Sequence, residues 1–280
     1  MLKSLLLSAM VGLAAVGTCL GQSTTQPVAP SAATAADDLK NSPRHGEWDD
    51  IPIPGSTVKL HTWVVYPERP DKAPVVLVIH EIFGMSDWVR ATADQLAAQG
   101  FIAVAPDLLS GKGPNGGGTE SFTDPTEGVS RLTSDEVVVR LNAARDYALA
   151  FPSATDKSAS IGFCWGGGAS FNYAANQPKL NAAVVFYGVP PSKDAMAKIT
   201  CPILGNYAGN DARISATVPA TTAAMAALQK SYDPHIFDGA GHGFLRQQSG
   251  QNGANLKAAQ QAWPATIAFL KKYLETAKAN

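Results

Sequence analysis

Residues 160–168 read Ser160-Ile161-Gly162-Phe163-Cys164-Trp165-Gly166-Gly167-Gly168. A short apolar run ends at Phe163, and a segment of helical composition runs from Trp165 to Ala175. Cys164 therefore falls on the turn between a strand and a helix. A turn sharp enough to lift one side chain to its apex needs little bulk two residues to either side, and Gly162 and Gly166 meet that need. The turn also aims Cys164 at the start of the next helix, where free N–H groups stabilise a thiolate or an oxyanion. The plain alternative is a glycine-rich turn carrying a buried, inert thiol.

Outward from this turn, strands and helices alternate. Val75 to Ile79, Phe101 to Ala105, Ala183 to Tyr187 and Ile203 to Ala208 are short continuous apolar runs, as buried parallel strands are. Thr57 to Tyr66 alternates apolar with polar residues, and His235 to Phe237 is a further short strand. Helices are expected over Asp87 to Gln99, stopped by Gly100, and from a Ser134 cap to about Ala150. Two more are expected over Ala216 to Lys230 and Asn255 to Ala277, the second kinked or restarted at Pro264. Asp107 to Thr133, rich in Gly and polar residues, is a long loop of the kind that carries function. The pattern predicts an α/β fold: a doubly wound, mostly parallel sheet with helices on both faces and working residues at the carboxyl ends of the strands.

In that setting G-x-C-x-G-G has the form of the nucleophile elbow of the α/β-hydrolase fold, with cysteine where serine is usual. An acid and a histidine should then follow in chain order. His235 and His242 are the histidines downstream. His235 lies within a strand, whereas His242 sits in the glycine-rich loop Gly239 to Phe244, so His242 is the better base. Asp211 closes the Ile203 strand and can fix the His242 tautomer by accepting its second N–H. Asp233 and Asp238 are rivals placed too close to His242 in sequence. The oxyanion hole should use the N–H of Trp165 and one from His80-Glu81-Ile82-Phe83-Gly84, with Ile82 the candidate.

With these residues in hand the chain resembles the dienelactone hydrolase (carboxymethylenebutenolidase) family over residues 50 to 275. The resemblance rests on H-E-I-F-G at 80–84, A-P-D-L at 105–108, G-F-C-W-G-G at 162–167, F-Y-G at 186–188, G-N-D at 209–211 and A-G-H-G-F-L-R at 240–246. It implies Cys164, Asp211 and His242 as a triad. It also implies that Glu81 helps deprotonate the cysteine once substrate arrives, the thiol otherwise staying protonated; a structural salt bridge from Glu81 to Arg246 is the other reading. Arg246 matches a family arginine that binds a substrate carboxylate, a contact suited to a planar guanidinium. The family's second such arginine, expected after A-P-D-L, is missing from Leu109-Ser110-Gly111-Lys112. Lys112 is its candidate stand-in, and Phe83 joins Lys112 and Arg246 as substrate-binding residues.

The start of the chain has Lys3 as its one charge before an apolar run from Leu5 to Val16, too short for a bilayer span. This is the form of a secretory signal peptide over 1–21, which predicts an exported, periplasmic or secreted protein; lipidation at Cys19 is the weaker alternative. Residues 22–45, rich in Pro, Ala and Thr, read as a flexible linker, and 46–280 as the hydrolase domain. A 45% hydrophobic and 16% charged composition suits a large buried core, and a net charge of −1 gives no basic excess for nucleic acid. Of the three cysteines none lies in metal-type spacing, so no metal and no cofactor is expected, and Cys201 reads as a buried thiol. The expected partner is a small-molecule ester or lactone, anionic if Arg246 acts as the family implies, on a monomer or weak homo-oligomer. The alternatives are a general exported esterase or thioesterase, and a catalytically silent binding protein of the same fold.

Overall fold

In the computed structural model, which describes residues 28–275, the chain opens with α1 (Ala35–Lys40), β1 (Gly46–Pro52), β2 (Lys59–Val65) and β3 (Ala73–Ile79). It continues through α2 (Asp87–Ala98), β4 (Ile102–Pro106), α3 (Pro125–Ser130), α4 (Ser134–Leu149), β5 (Ala154–Phe163) and α5 (Trp165–Asn176). β6 (Ala182–Phe186), α6 (Lys193–Lys198), β7 (Ile203–Ala208), α7 (Ala212–Ser215), α8 (Val218–Ala227), β8 (Tyr232–Phe237) and α9 (Ala254–Leu274) complete it. The expected signal peptide, Cys19 and residues 22–27 of the expected linker lie outside the described residues.

The eight strands form one sheet in the order β1-β2-β4-β3-β5-β6-β7-β8. β1 and β2 are antiparallel to their neighbours; β4 to β8 and β3 pair in parallel. β3, β4, β6 and β7 are buried along their whole length, because helices cover both faces of the sheet. On one face α1, α2 and α9 pack with Val76, Val78, Phe163 and Phe186. On the other, α4, α5, α6 and α8 pack with Val75, Leu77, Ile79 and Ile203. From β3 the chain steps one way to β4 and then crosses back to β5, so the switch point of the sheet lies between the carboxyl ends of β3 and β5, where Ile79 pairs with Gly162.

Several boundaries differ from the sequence reading. β1 was not expected: Glu47-Trp48-Asp49-Asp50 has no apolar run, since an edge strand paired on one side keeps that polarity. Thr133, not Ser134, caps α4, its hydroxyl accepting the Glu136 N–H at 3.2 Å. The expected 216–230 helix is shorter, α8, preceded by the separate turn α7; Pro219, which lacks an N–H, sits at the start of α8 where none is needed. α9 runs through Pro264 as one helix.

The expected linker is corrected most. Residues 28–45 are not a contact-free tether. Ala29 and Ala35 are buried in the core, and the Pro30 carbonyl accepts the Trp88 indole N–H at 3.0 Å. The Ala32 N–H donates to the Arg246 carbonyl at 2.9 Å, and Arg44 pairs with buried Asp94. The composition reads as loop because these contacts are made by small residues and backbone groups, which leave no apolar period.

Candidate active site

At the end of β5 the backbone of Cys164 takes φ 56°, ψ −117°, a conformation that costs a non-glycine residue on the order of 1–3 kcal/mol. The surroundings hold it there. A Cβ on Gly162 would lie 1.9 Å from the Gly166 carbonyl oxygen, and one on Gly166 would lie 2.3 Å from the His80 carbonyl oxygen. Both glycines are thus required by close backbone approach, as the spacing predicts. The Cys164 N–H donates to the Phe186 carbonyl at 3.0 Å, and the Cys164 carbonyl accepts the Gly167 N–H at 3.0 Å, so the turn feeds directly into α5.

The N–H groups of Trp165 and Ile82 both face Cys164 Sγ, bringing together the two expected oxyanion donors. The thiol pKa is raised, first by burial and then by the charge of Glu81; the two N–H groups and Arg213 oppose the rise. The thiol is therefore protonated at rest. Sγ makes no hydrogen bond with His242 in this conformation.

The Ile82 loop is braced by His80, which is fully buried. Its Nδ1–H donates to the Glu81 carbonyl at 2.7 Å, while its Nε2 accepts the Leu108 N–H at 3.2 Å. Accepting at Nε2 fixes the neutral tautomer, and burial lowers the His80 pKa, so the ring stays uncharged. Thr119 ties the same loop to the one after β4: its hydroxyl accepts the Met85 N–H at 3.0 Å and donates to Asp107 at 2.7 Å.

Asp211 and His242 meet as expected. His242 Nδ1 lies 2.5 Å from Asp211 Oδ2, while Asp211 Oδ1 accepts the N–H of Ile214 at 3.4 Å at the start of α7. One carboxylate oxygen is thus held by the helix and the other is aimed at the imidazole. Two of the rivals pair with each other instead: His235 Nε2 lies 3.3 Å from Asp233 on the edge strand β8. The loop bearing His242 is clasped from the start of α9, where Asn255 accepts the Gly241 N–H at 2.8 Å and donates to the Gln247 carbonyl at 2.7 Å.

Glu81 lies beside the thiol, its carboxyl pushed up to about 7 by burial against the opposing pull of Arg246. Arg246 Nε is 2.7 Å from Glu81 Oε2, a contact of charges rather than an aligned hydrogen bond, since the N–H does not point along it. The Arg246 guanidinium lies 4.7 Å from the ring centre of half-exposed Phe83. Lys112 does not join this group. Its ammonium sits 2.6 Å from Glu136 in the first turn of α4, and Glu136 also takes Arg140 at 2.9 Å. The lysine ties its loop to α4, which corrects its expected role as a second substrate-binding cation.

Two neighbours escaped the sequence reading. Tyr187 is fully buried at φ 41°, its ring 5.0 Å from that of His242, and its hydroxyl has no hydrogen-bond partner. Its pKa is raised by burial and by the charges of Glu81 and Cys164, so the phenol stays neutral beside them. F-Y-G was its available signal. Arg213, whose charge reaches the thiol, left none. Among the described residues no cluster of three or more His, Cys, Asp or Glu side chains is arranged to hold a metal ion.

The model of the dienelactone hydrolase family matches residues 60–274. A Methylorubrum extorquens protein named as a carboxymethylenebutenolidase is 30% identical over 264 residues, covering 89% of this chain and 87% of its own. One from Saccharolobus solfataricus is 29% identical over 248 residues, covering 76% of this chain and 94% of its own. A crystal structure named for a dienelactone hydrolase of Klebsiella pneumoniae superposes with a TM-score of 0.73 at 25% identity, covering 82% of this chain and 99% of its own.

Proposed function

This chain belongs to the dienelactone hydrolase family, and on that footing we propose that it hydrolyses a carboxylic ester or lactone through Cys164, His242 and Asp211 with a thioester intermediate. The observation that carries the reading is the position of Cys164 Sγ, at a strained turn and facing the N–H groups of both Trp165 and Ile82. An anion formed between those donors is stabilised without reorganising solvent.

The resting thiol itself faces the anion-binding donors, so the cycle starts by moving it. Glu81 takes the thiol proton, and Sγ swings toward His242. A substrate carbonyl oxygen then occupies the space facing Ile82 and Trp165. The thiolate forms a C–S bond, the acyl C–O bond breaks, and the leaving oxygen departs with the electron pair. His242, its tautomer fixed by Asp211, next takes a proton from water, and the hydroxide attacks the thioester. The C–S bond breaks and the thiolate recovers the proton held by Glu81. His242 passes its proton to the departed oxygen. Activated esters and lactones that open to a stabilised anion suit a thiolate, which is otherwise the better leaving group of the two.

The test is rapid mixing with p-nitrophenyl acetate. The wild type should release a burst of p-nitrophenolate stoichiometric with enzyme, and Cys164→Ala should lose both burst and turnover. Undiminished turnover in Cys164→Ala would overturn the assignment. A wild type that binds the ester without releasing p-nitrophenolate would favour a silent binding protein.

A further inference from the structure

Resting on that reading, we propose that a cavity beside Trp165 is the acyl pocket and that it takes an apolar acyl group. The cavity measures about 380 Å³ and its walls include Leu132, Val137, Trp165, Ala169, Val189 and Ala195. No charged side chain lines it; its polar lining is Asn172 and two serines. The volume lies within the ~300–1,000 Å³ range of small-molecule sites.

The lining includes the residue that follows the nucleophile. Trp165 faces Sγ with its N–H and also lines the cavity, and Gly168 and Ala169 follow on the next turn of α5. Val189 also lines the cavity, two residues past Tyr187, whose ring adjoins His242. Val189 is a large apolar residue left half exposed at this rim.

Stereochemistry assigns the occupant. The loop bearing His242 packs through Ala240, Phe244 and Leu245 into the layer of α2 and α9. Val137, Trp165 and Ala169 belong to the layer of α4 and α5 on the other side of the sheet. The water that His242 activates enters where the leaving oxygen departed, so the leaving oxygen faces His242. With the carbonyl oxygen held by the two N–H groups, the third substituent of the carbonyl carbon, the acyl group, points away from His242 and toward the cavity.

The experiment measures kcat/KM for p-nitrophenyl acetate, butyrate and hexanoate, and for ethyl and hexyl acetate, on wild type and Ala195→Phe. In the wild type, kcat/KM should climb with acyl length, by roughly tenfold or more from acetate to hexanoate, the discrimination an apolar pocket gives for added methylenes. Ala195→Phe should cut the hexanoate-to-acetate ratio about tenfold and leave the hexyl-to-ethyl ratio of the acetates where it was. Equal losses on all acyl lengths, or a loss that follows the alcohol, would overturn the pocket assignment. Val189→Trp, at the exposed rim, makes the same measurement should Ala195→Phe fail to fold. A wild type that turns over acetate with no acyl preference removes the pocket alone, whereas one that turns over no ester removes the hydrolase reading beneath it.

Discussion

Glu81 shows how far one buried carboxyl can set the behaviour of a site. Burial raises its pKa from an ordinary 4.5 to about 7, so the folded protein favours the protonated form. A group with a raised folded pKa gives stability that is present in full below 4.5 and is lost as pH rises through about 7. The wild type should therefore lose stability relative to Glu81→Gln between pH 4.5 and 7, by on the order of 3 kcal/mol at most. Melting temperatures of both proteins across that range check it; a flat difference curve would sink the argument. On the proposed mechanism catalysis runs the opposite way, because Glu81 can take the thiol proton only when ionised. On wild type kcat/KM should rise through about pH 7. Glu81 was legible in H-E-I-F-G, and its pairing with Arg246 was one of the two readings offered there. Lys112 was misread because a lysine in the right loop does not reveal that Glu136, 24 positions on, lies one ion pair away.

Among the elements, the parallel strands were the plainest in sequence, because burial on both faces demands unbroken apolar runs such as Val75 to Ile79. The elbow was equally plain, since only glycine tolerates the approach at positions 162 and 166. The clasp on the loop between β8 and α9 was invisible: a single asparagine at a helix start has no pattern. Yet Asn255 bonds both to Gly241, before His242, and to Gln247, after Arg246. Asn255→Ala would leave the buried Gly241 N–H without its acceptor, at a cost of about 1–3 kcal/mol. It should also loosen His242, lowering kcat/KM for the test ester by about tenfold to a hundredfold, because sub-ångström placement of the base governs the rate. Near-ultraviolet circular dichroism at the assay temperature confirms that the variant is folded. Unchanged kinetics in a folded Asn255→Ala protein would show that the loop holds His242 without this clasp.

At the scale of the whole molecule, residues 28–45 join parts far apart in the chain. Gln248 donates to the carbonyls of Ala29 and Pro30 at 3.1 and 3.2 Å, so the segment leans on the loop that bears Arg246. Farther along, Arg44 Nε donates to Asp94 Oδ1 at 2.9 Å and a second guanidinium nitrogen pairs with Oδ2. Asp94 is buried in the middle of α2, so removing Arg44 strands a carboxylate where water cannot replace the partner. Leaving one member of a buried pair costs roughly 3–5 kcal/mol. For a domain of this size each kcal/mol moves Tm by roughly 2–4 °C. Arg44→Ala, which keeps the rest of the segment over Asp94, should then melt roughly ten degrees below the wild type. If the stranded charge is the cause, adding Asp94→Asn to Arg44→Ala should recover part of the loss, while Asp94→Asn alone should only destabilise. Equal melting of wild type and Arg44→Ala would show that the segment is held without this ion pair.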